Sequence, residues 1–229
     1  MSKKEHLAGL YPFLHGKKQD AAAMNEALQE SVRQKAADHV LVFESYFEKN
    51  EASIVKAAEV IAQMYRQNGR LFTMGNGGSS CDAAHVAVEF LHPVTAGRPA
   101  LTAINLTTDV AMMTAVSNDL GYDHVYVRQI IAQGRKGDCL IGMSTSGNSE
   151  NLIRAFNKAN EMGLTTIGLA GMNGGEMAKA NLDACLVVET DSIHRIQECH
   201  VATYHILWDL VHTLLADDRG GLGKTGEQA

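Results

Sequence analysis

Asp138-Cys-Leu-Ile-Gly-Met143 runs into Ser144-Thr145-Ser146-Gly147-Asn148-Ser149, and beyond that Leu152, Ile153, Phe156 and Ala159 recur at helical spacing. The first segment reads as a short buried strand, the last as an amphipathic helix, and the hydroxyl-rich middle as the loop between them. Such a loop offers hydroxyl donors, backbone N–H groups and the positive end of a helix dipole, a combination suited to phosphate. It has no Lys and no Gly-x-x-x-x-Gly-Lys-Ser/Thr spacing, so it is not a nucleoside-triphosphate loop. The expected ligand is a small phosphorylated metabolite.

The same strand–loop–helix unit repeats on both sides. Apolar runs fall at Leu71–Gly75, Ala100–Asn105, Cys139–Met143, Thr165–Leu169 and Ala184–Val188. Helical patterns lie between them at about 80–91, 109–117, 124–133, 149–162 and 175–180, with a final helix at about 194–216. This alternation predicts an α/β fold, a doubly wound parallel sheet of the flavodoxin/Rossmann-like type, whose ligands bind outside the carboxyl ends of the strands. The loops 75–80 and 144–149 both fall at such ends. Ahead of the sheet, residues 20–68 hold no Gly or Pro and read as two or three N-terminal helices, with a break at Asn50-Glu-Ala-Ser53 and an end at Asn68-Gly69. Residues 1–18 read as an irregular extension, and 19–229 as one domain that includes these helices.

Apolar residues make up 45% of the 229, enough for one good-sized core. The formal net charge of −6 disfavours nucleic acid and anionic membranes as partners, although a local cluster of donors can still hold an anion. Cys81, Cys139, Cys185 and Cys199 form no CxxC pair and read as buried thiols of a reducing compartment. The opening Met1-Ser-Lys-Lys-Glu-His leads into no sustained apolar segment, so a cytoplasmic location is expected.

Gly75-Asn76-Gly77-Gly78-Ser79-Ser80 closes the first strand and opens a helix, where glycines admit a ligand close to the backbone and serines can cap. Alone it is an ordinary turn; paired with the serine loop it marks one wall of a crevice. His85 and Glu89 are four apart on the following helix and share a face. They can offer a nitrogen and an oxygen to a divalent metal, or simply bond to each other at the surface. The last helix carries Gln197, His200, His205 and His212. Gln197 and His205, eight apart, can lean toward one site, His200 reads as a satisfied helix histidine, His212 as terminal, and Trp208 as packing. Asn118-Asp119 is either a helix-end turn or a pair of contacts to sugar hydroxyls.

These motifs, in this order, resemble the SIS (sugar isomerase) domain family and, within it, the bacterial phosphoheptose isomerases. The resemblance spans about Lys35 to Leu215 and rests on Gly75–Ser79, Asp82-Ala-Ala-His-Val-Ala-Val-Glu89, Asn118-Asp-Leu-Gly121, Ser144–Ser149 and Arg195-Ile-Gln-Glu-Cys-His200 followed by His205. It implies conversion of sedoheptulose 7-phosphate to glycero-manno-heptose 7-phosphate through an enediol, in a cytoplasmic homotetramer. It also implies one zinc per subunit held by His85, Glu89, Gln197 and His205, with Glu89 and His205 as the acid/base pair. Substrate contacts are implied at Asn76, Gly77, Gly78, Glu89, Asn118, Asp119, Ser144, Thr145, Ser146, Ser149 and Gln197.

Two positions depart from the family pattern. Pro93 stands where the isomerases carry an Arg in a Gly-Arg-aromatic turn, with Arg98 nearby as a candidate replacement, and His194 stands where they often carry Asp. The alternative function is a non-catalytic sugar-phosphate-binding or regulatory scaffold of the replication-initiator-associating type. Such relatives tend to lose the helix Glu and the second His, which this chain keeps as Glu89 and His205.

Overall fold

The computed structural model describes residues 21–216. The extension expected at 1–18 lies outside the described residues. The chain divides into two units, one ending at Leu41 and the other beginning at Val42.

Helix α1, Ala21–Arg66, is a single helix of 46 residues. The break expected at Asn50–Ser53 does not occur. Asn50 donates through Nδ2 to the Tyr46 carbonyl at 2.9 Å, one turn back, and to the Val187 carbonyl at 3.4 Å. Its amide is thus satisfied without ending the helix. Immediately afterwards Ile54, Ala57, Ala58, Ile61 and Ala62, at helical spacing, are buried in the core and hold the next turns in place. Asn68, in the left-handed region at φ 58°, then stops the helix as expected, and the Gly69 N–H closes on the Met64 carbonyl at 2.9 Å. In the first unit the helix is largely exposed, including Leu28, Val32 and Leu41. Arg33 pairs there with Glu30 at 2.8 Å.

The second unit alternates as predicted: β1 Leu71–Gly75, α2 Gly78–Leu91, β2 Ala103–Asn105, α3 Val110–Asp119, a 3-10 turn Tyr122–His124, α4 Val125–Gln133, β3 Cys139–Ser144, α5 Glu150–Met162, β4 Thr165–Gly171, α6 Gly175–Lys179, β5 Ala184–Val188 and α7 Ile193–Ala216. Only β2 is notably shorter than its apolar run. The Leu101 N–H is taken by the Phe90 carbonyl at the end of α2, so pairing starts two residues later.

The five strands are all parallel, in the order β2-β1-β3-β4-β5. Their alternating side chains feed two cores. Leu71, Ile141, Met143, Ile167 and Leu169 join α1, α2 and α7 on one face. Phe72, Met74, Leu140 and Ala170 join α3 to α6 on the other. With helices on both faces, β1 and β3 are buried at every position, which is why they read as continuous apolar runs. The strand order reverses between β1 and β3, so the loops leaving their carboxyl ends border the switch-point crevice.

Cys139 and Cys199 are buried as expected and Cys185 is half-buried, but Cys81 is exposed on α2; all four are free thiols. Among the described residues no helix is long and apolar enough to cross a membrane.

Candidate active site

Both loops present an uncapped helix end to the crevice. Gly77, at φ 55°, is the cap residue of α2 and offers no side chain. The serines do not cap this helix as expected: Ser80 Oγ turns back to the Gly77 carbonyl at 2.6 Å. Ser149 begins α5, yet its hydroxyl pairs with Ser144 Oγ at 2.9 Å rather than capping. Helix ends left open in this way favour an anion.

The serine loop is held from behind. A Cβ on Gly147, which sits at φ 66°, would lie 2.0 Å from the Gly174 carbonyl oxygen, so only glycine fits there. Asn148 accepts the Glu176 N–H at 3.0 Å through Oδ1, anchoring the loop to α6. Ser144 is buried, whereas Thr145, Ser146 and Ser149 are partly open.

The loops are joined across the crevice by a contact the sequence reading missed. Asn76 and Asn151 exchange two amide hydrogen bonds of 2.9 Å. Asn76 Oδ1 also accepts from Tyr122 at 2.9 Å and lies 3.3 Å from the Tyr126 hydroxyl, which donates to the Gly75 carbonyl at 2.5 Å. Asn76 therefore has its oxygen committed and one N–H left to offer. Asn118 and Asp119 are exposed at the end of α3 and bond to each other at 2.8 Å.

Helices α2 and α7 bring together the second group of predicted residues. One donor atom each from His85, Glu89 and His205 lies within 4.8 Å of the others. His85 Nε2 is 3.0 Å from Glu89 Oε1, and Nδ1 is 2.7 Å from the Tyr204 hydroxyl. Two imidazole nitrogens and a carboxylate oxygen at this spacing suit a divalent cation of the zinc type. Gln197 stands against the start of α2: a Cβ on Gly78 would lie 2.2 Å from its Nε2. Gly78 precedes His85 by two turns, about 10 Å along the helix. Gln197 thus faces the first loop, on the same seam as the three-residue cluster.

The remaining candidates pack. Trp208 is more than a packing residue, because its indole N–H donates to the Glu89 carbonyl at 2.8 Å and steadies that turn of α2. Arg98 lies over the Trp208 ring at 4.8 Å and pairs with Asp209 at 2.6 Å, so it braces the segment after α2 against α7. His212 is buried against Trp208 and Phe90 rather than terminal.

His200 is fully buried and satisfied at one ring nitrogen only: Nε2 donates to the Ala170 carbonyl at 3.1 Å, while Nδ1 has no hydrogen-bond partner. Burial pushes its pKa down from 6.5 to about 4. Between those values the unfolded chain binds the proton that the folded one refuses, so stability is lost as pH falls from 6.5 toward 4, by on the order of 3 kcal/mol. Asp82 acts in the opposite sense, since burial raises its pKa to about 6, so the measurement is a comparison. His200→Gln keeps a donor for Ala170 and cannot charge. Its melting temperature is expected to fall less than that of the wild type between pH 7 and pH 5, and parallel losses would rule out His200 as the cause.

The SIS domain family matches residues 36–171. The chain is 44% identical over 173 residues to a phosphoheptose isomerase of Sulfurimonas denitrificans, covering 74% of this chain and 88% of that one. The solved phosphoheptose isomerase of Neisseria gonorrhoeae superposes with a TM-score of 0.76 at 37% identity, covering 81% of this chain and 99% of the other. That of Francisella tularensis gives 0.77 at 30% identity, covering 81% and 98%. The uncapped loops at the switch point and the His–Glu–His seam beside them thus sit on a scaffold shared along nearly the whole length of these isomerases, and the chain belongs to the phosphoheptose isomerase family of SIS-domain enzymes.

Proposed function

We propose that this isomerase converts sedoheptulose 7-phosphate to glycero-manno-heptose 7-phosphate through an enediol. The observation that carries the reading is the convergence of His85, Glu89 and His205 from two helices, on the α2 helix that the first crevice loop opens. The phosphate is assigned to Ser144, Thr145, Ser146 and Ser149, where hydroxyls and an uncapped helix end offer donors. Asn76 contributes its remaining N–H, Gly77 and Gly78 their backbone, and Gln197 its amide. Asn118 and Asp119 are assigned to sugar hydroxyls.

Aldose–ketose interconversion removes a proton from the carbon beside a carbonyl and returns one to its neighbour. Glu89 and His205 are the acid/base pair for these transfers, each able to hold a proton near the reacting carbons. His85, Glu89 and His205 would hold zinc, with Gln197 as a fourth donor. That site would supply a Lewis acid to polarise a carbonyl oxygen and offset the negative charge developing there. The protein is further read as a cytoplasmic homotetramer, one zinc per subunit, in which symmetric assembly covers the apolar residues of α1 in its first unit.

The decisive experiment follows aldose formation from sedoheptulose 7-phosphate by NMR, with metal content measured on the same sample. About one zinc per subunit is expected, and removal by a chelator should depress turnover reversibly. Turnover indifferent to both chelator and added zinc would remove the metal from the mechanism. Binding of sugar phosphates without isomerisation, with or without zinc, would replace the enzyme by a scaffold.

A further inference from the structure

One buried polar residue beside the His85–Glu89–His205 cluster has no part in the mechanism above. Tyr204 immediately precedes His205 on α7 and is more than nine-tenths buried. The Tyr204 hydroxyl is 2.7 Å from His85 Nδ1. The rings of His85, Tyr204 and His205 meet edge to face, with centroids 4.9, 5.0 and 5.2 Å apart.

We infer that the Tyr204 hydroxyl positions His85 and, by pairing with either tautomer at Nδ1, lets it present Nε2 to a bound cation. The inference rests on the reading of His85 as a metal ligand. The Glu89 carboxylate can only accept, so in a neutral imidazole His85 Nε2–H donates to it and Nδ1 is left to accept from the Tyr204 hydroxyl. To offer Nε2 as a ligand, the imidazole must carry its proton on Nδ1, which then donates to Tyr204 Oη. A backbone carbonyl could serve only the second tautomer and an ammonium only the first; a phenol serves both. In the second state the phenol turns its own hydrogen away from Nδ1 and accepts there instead. Tyr204 is a positioning residue, acting through His85.

Tyr204→Phe keeps the ring and its packing and deletes only the hydroxyl. Its zinc dissociation constant, read by competition with a chromophoric chelator, is expected to rise about 10- to 100-fold. The melting temperature of the metal-free protein should stay close to that of the wild type. In the metal-free protein, ring-nitrogen NMR should show His85 moving from a predominant Nε2–H tautomer toward a mixture. Unchanged zinc affinity and unchanged His85 shifts in Tyr204→Phe would overturn the positioning role of Tyr204. If the wild-type protein takes up no zinc, the metal reading fails, and the NMR shifts alone decide whether Tyr204 positions His85.

Discussion

Glu89→Gln is expected to lower turnover by about two orders of magnitude or more, the usual contribution of a positioned acid/base group. The amide fills the same space and its oxygen can still accept the His85 Nε2–H, now made at 3.0 Å. The bond from Trp208 goes to the Glu89 main-chain carbonyl and is indifferent to the change. The amide cannot exchange a proton at neutral pH, so the loss should appear in kcat far more than in phosphosugar binding. His205→Asn should behave in the same way. Metal content has to be measured in both variants, because loss of the cation would depress turnover by a separate route. Wild-type kcat in Glu89→Gln with metal retained would take Glu89 out of the proton transfers.

The second large effect is expected in the serine loop. Replacing Ser144 and Ser146 together with Ala removes two hydroxyls assigned to the phosphate, each bond to a charged group being worth about 1.5–3 kcal/mol. At about 1.4 kcal/mol per tenfold, the KM for the sugar phosphate should rise roughly a hundredfold or more. The structural loss is smaller. Ser149 forfeits its 2.9 Å partner and the Asn148 N–H its 3.2 Å acceptor, at about 1 kcal/mol each, while Gly147 and Asn148 remain held by α6. Stability should therefore fall by a few degrees of melting temperature. An unchanged KM would mean that the loop is only a turn and that the phosphate is held elsewhere.

Local patterns in the chain were sufficient for the fold class. Alternating apolar runs and helical stretches placed all five strands and the helices of the sheet domain within a few residues, because side-chain periodicity is set by backbone geometry and needs no distant partner. The two crevice loops were legible for the same reason: hydroxyls and glycines between a strand and a helix are a local signature. His85 and Glu89 could be paired because four residues of helix bring them to one face.

What the tertiary structure decided are the pairings between positions far apart in the chain. Nothing around Asn50 shows that its amide will find the Val187 carbonyl, so a polar cluster that reads as a break became the middle of α1. The partners of Asn76, Glu89 and His85, namely Asn151, Trp208 and Tyr204, lie 75, 119 and 119 residues away. Each depends on the rotation and register with which one helix meets another, and those follow from how two whole cores fill, not from the residues beside the pair. The seam of α2 and α7 is the clearest case. Its histidines and carboxylates were visible as residue types, but which ring nitrogen meets Tyr204, and that Asp82 Oδ2 is left without a donor, are properties of the packed helices alone.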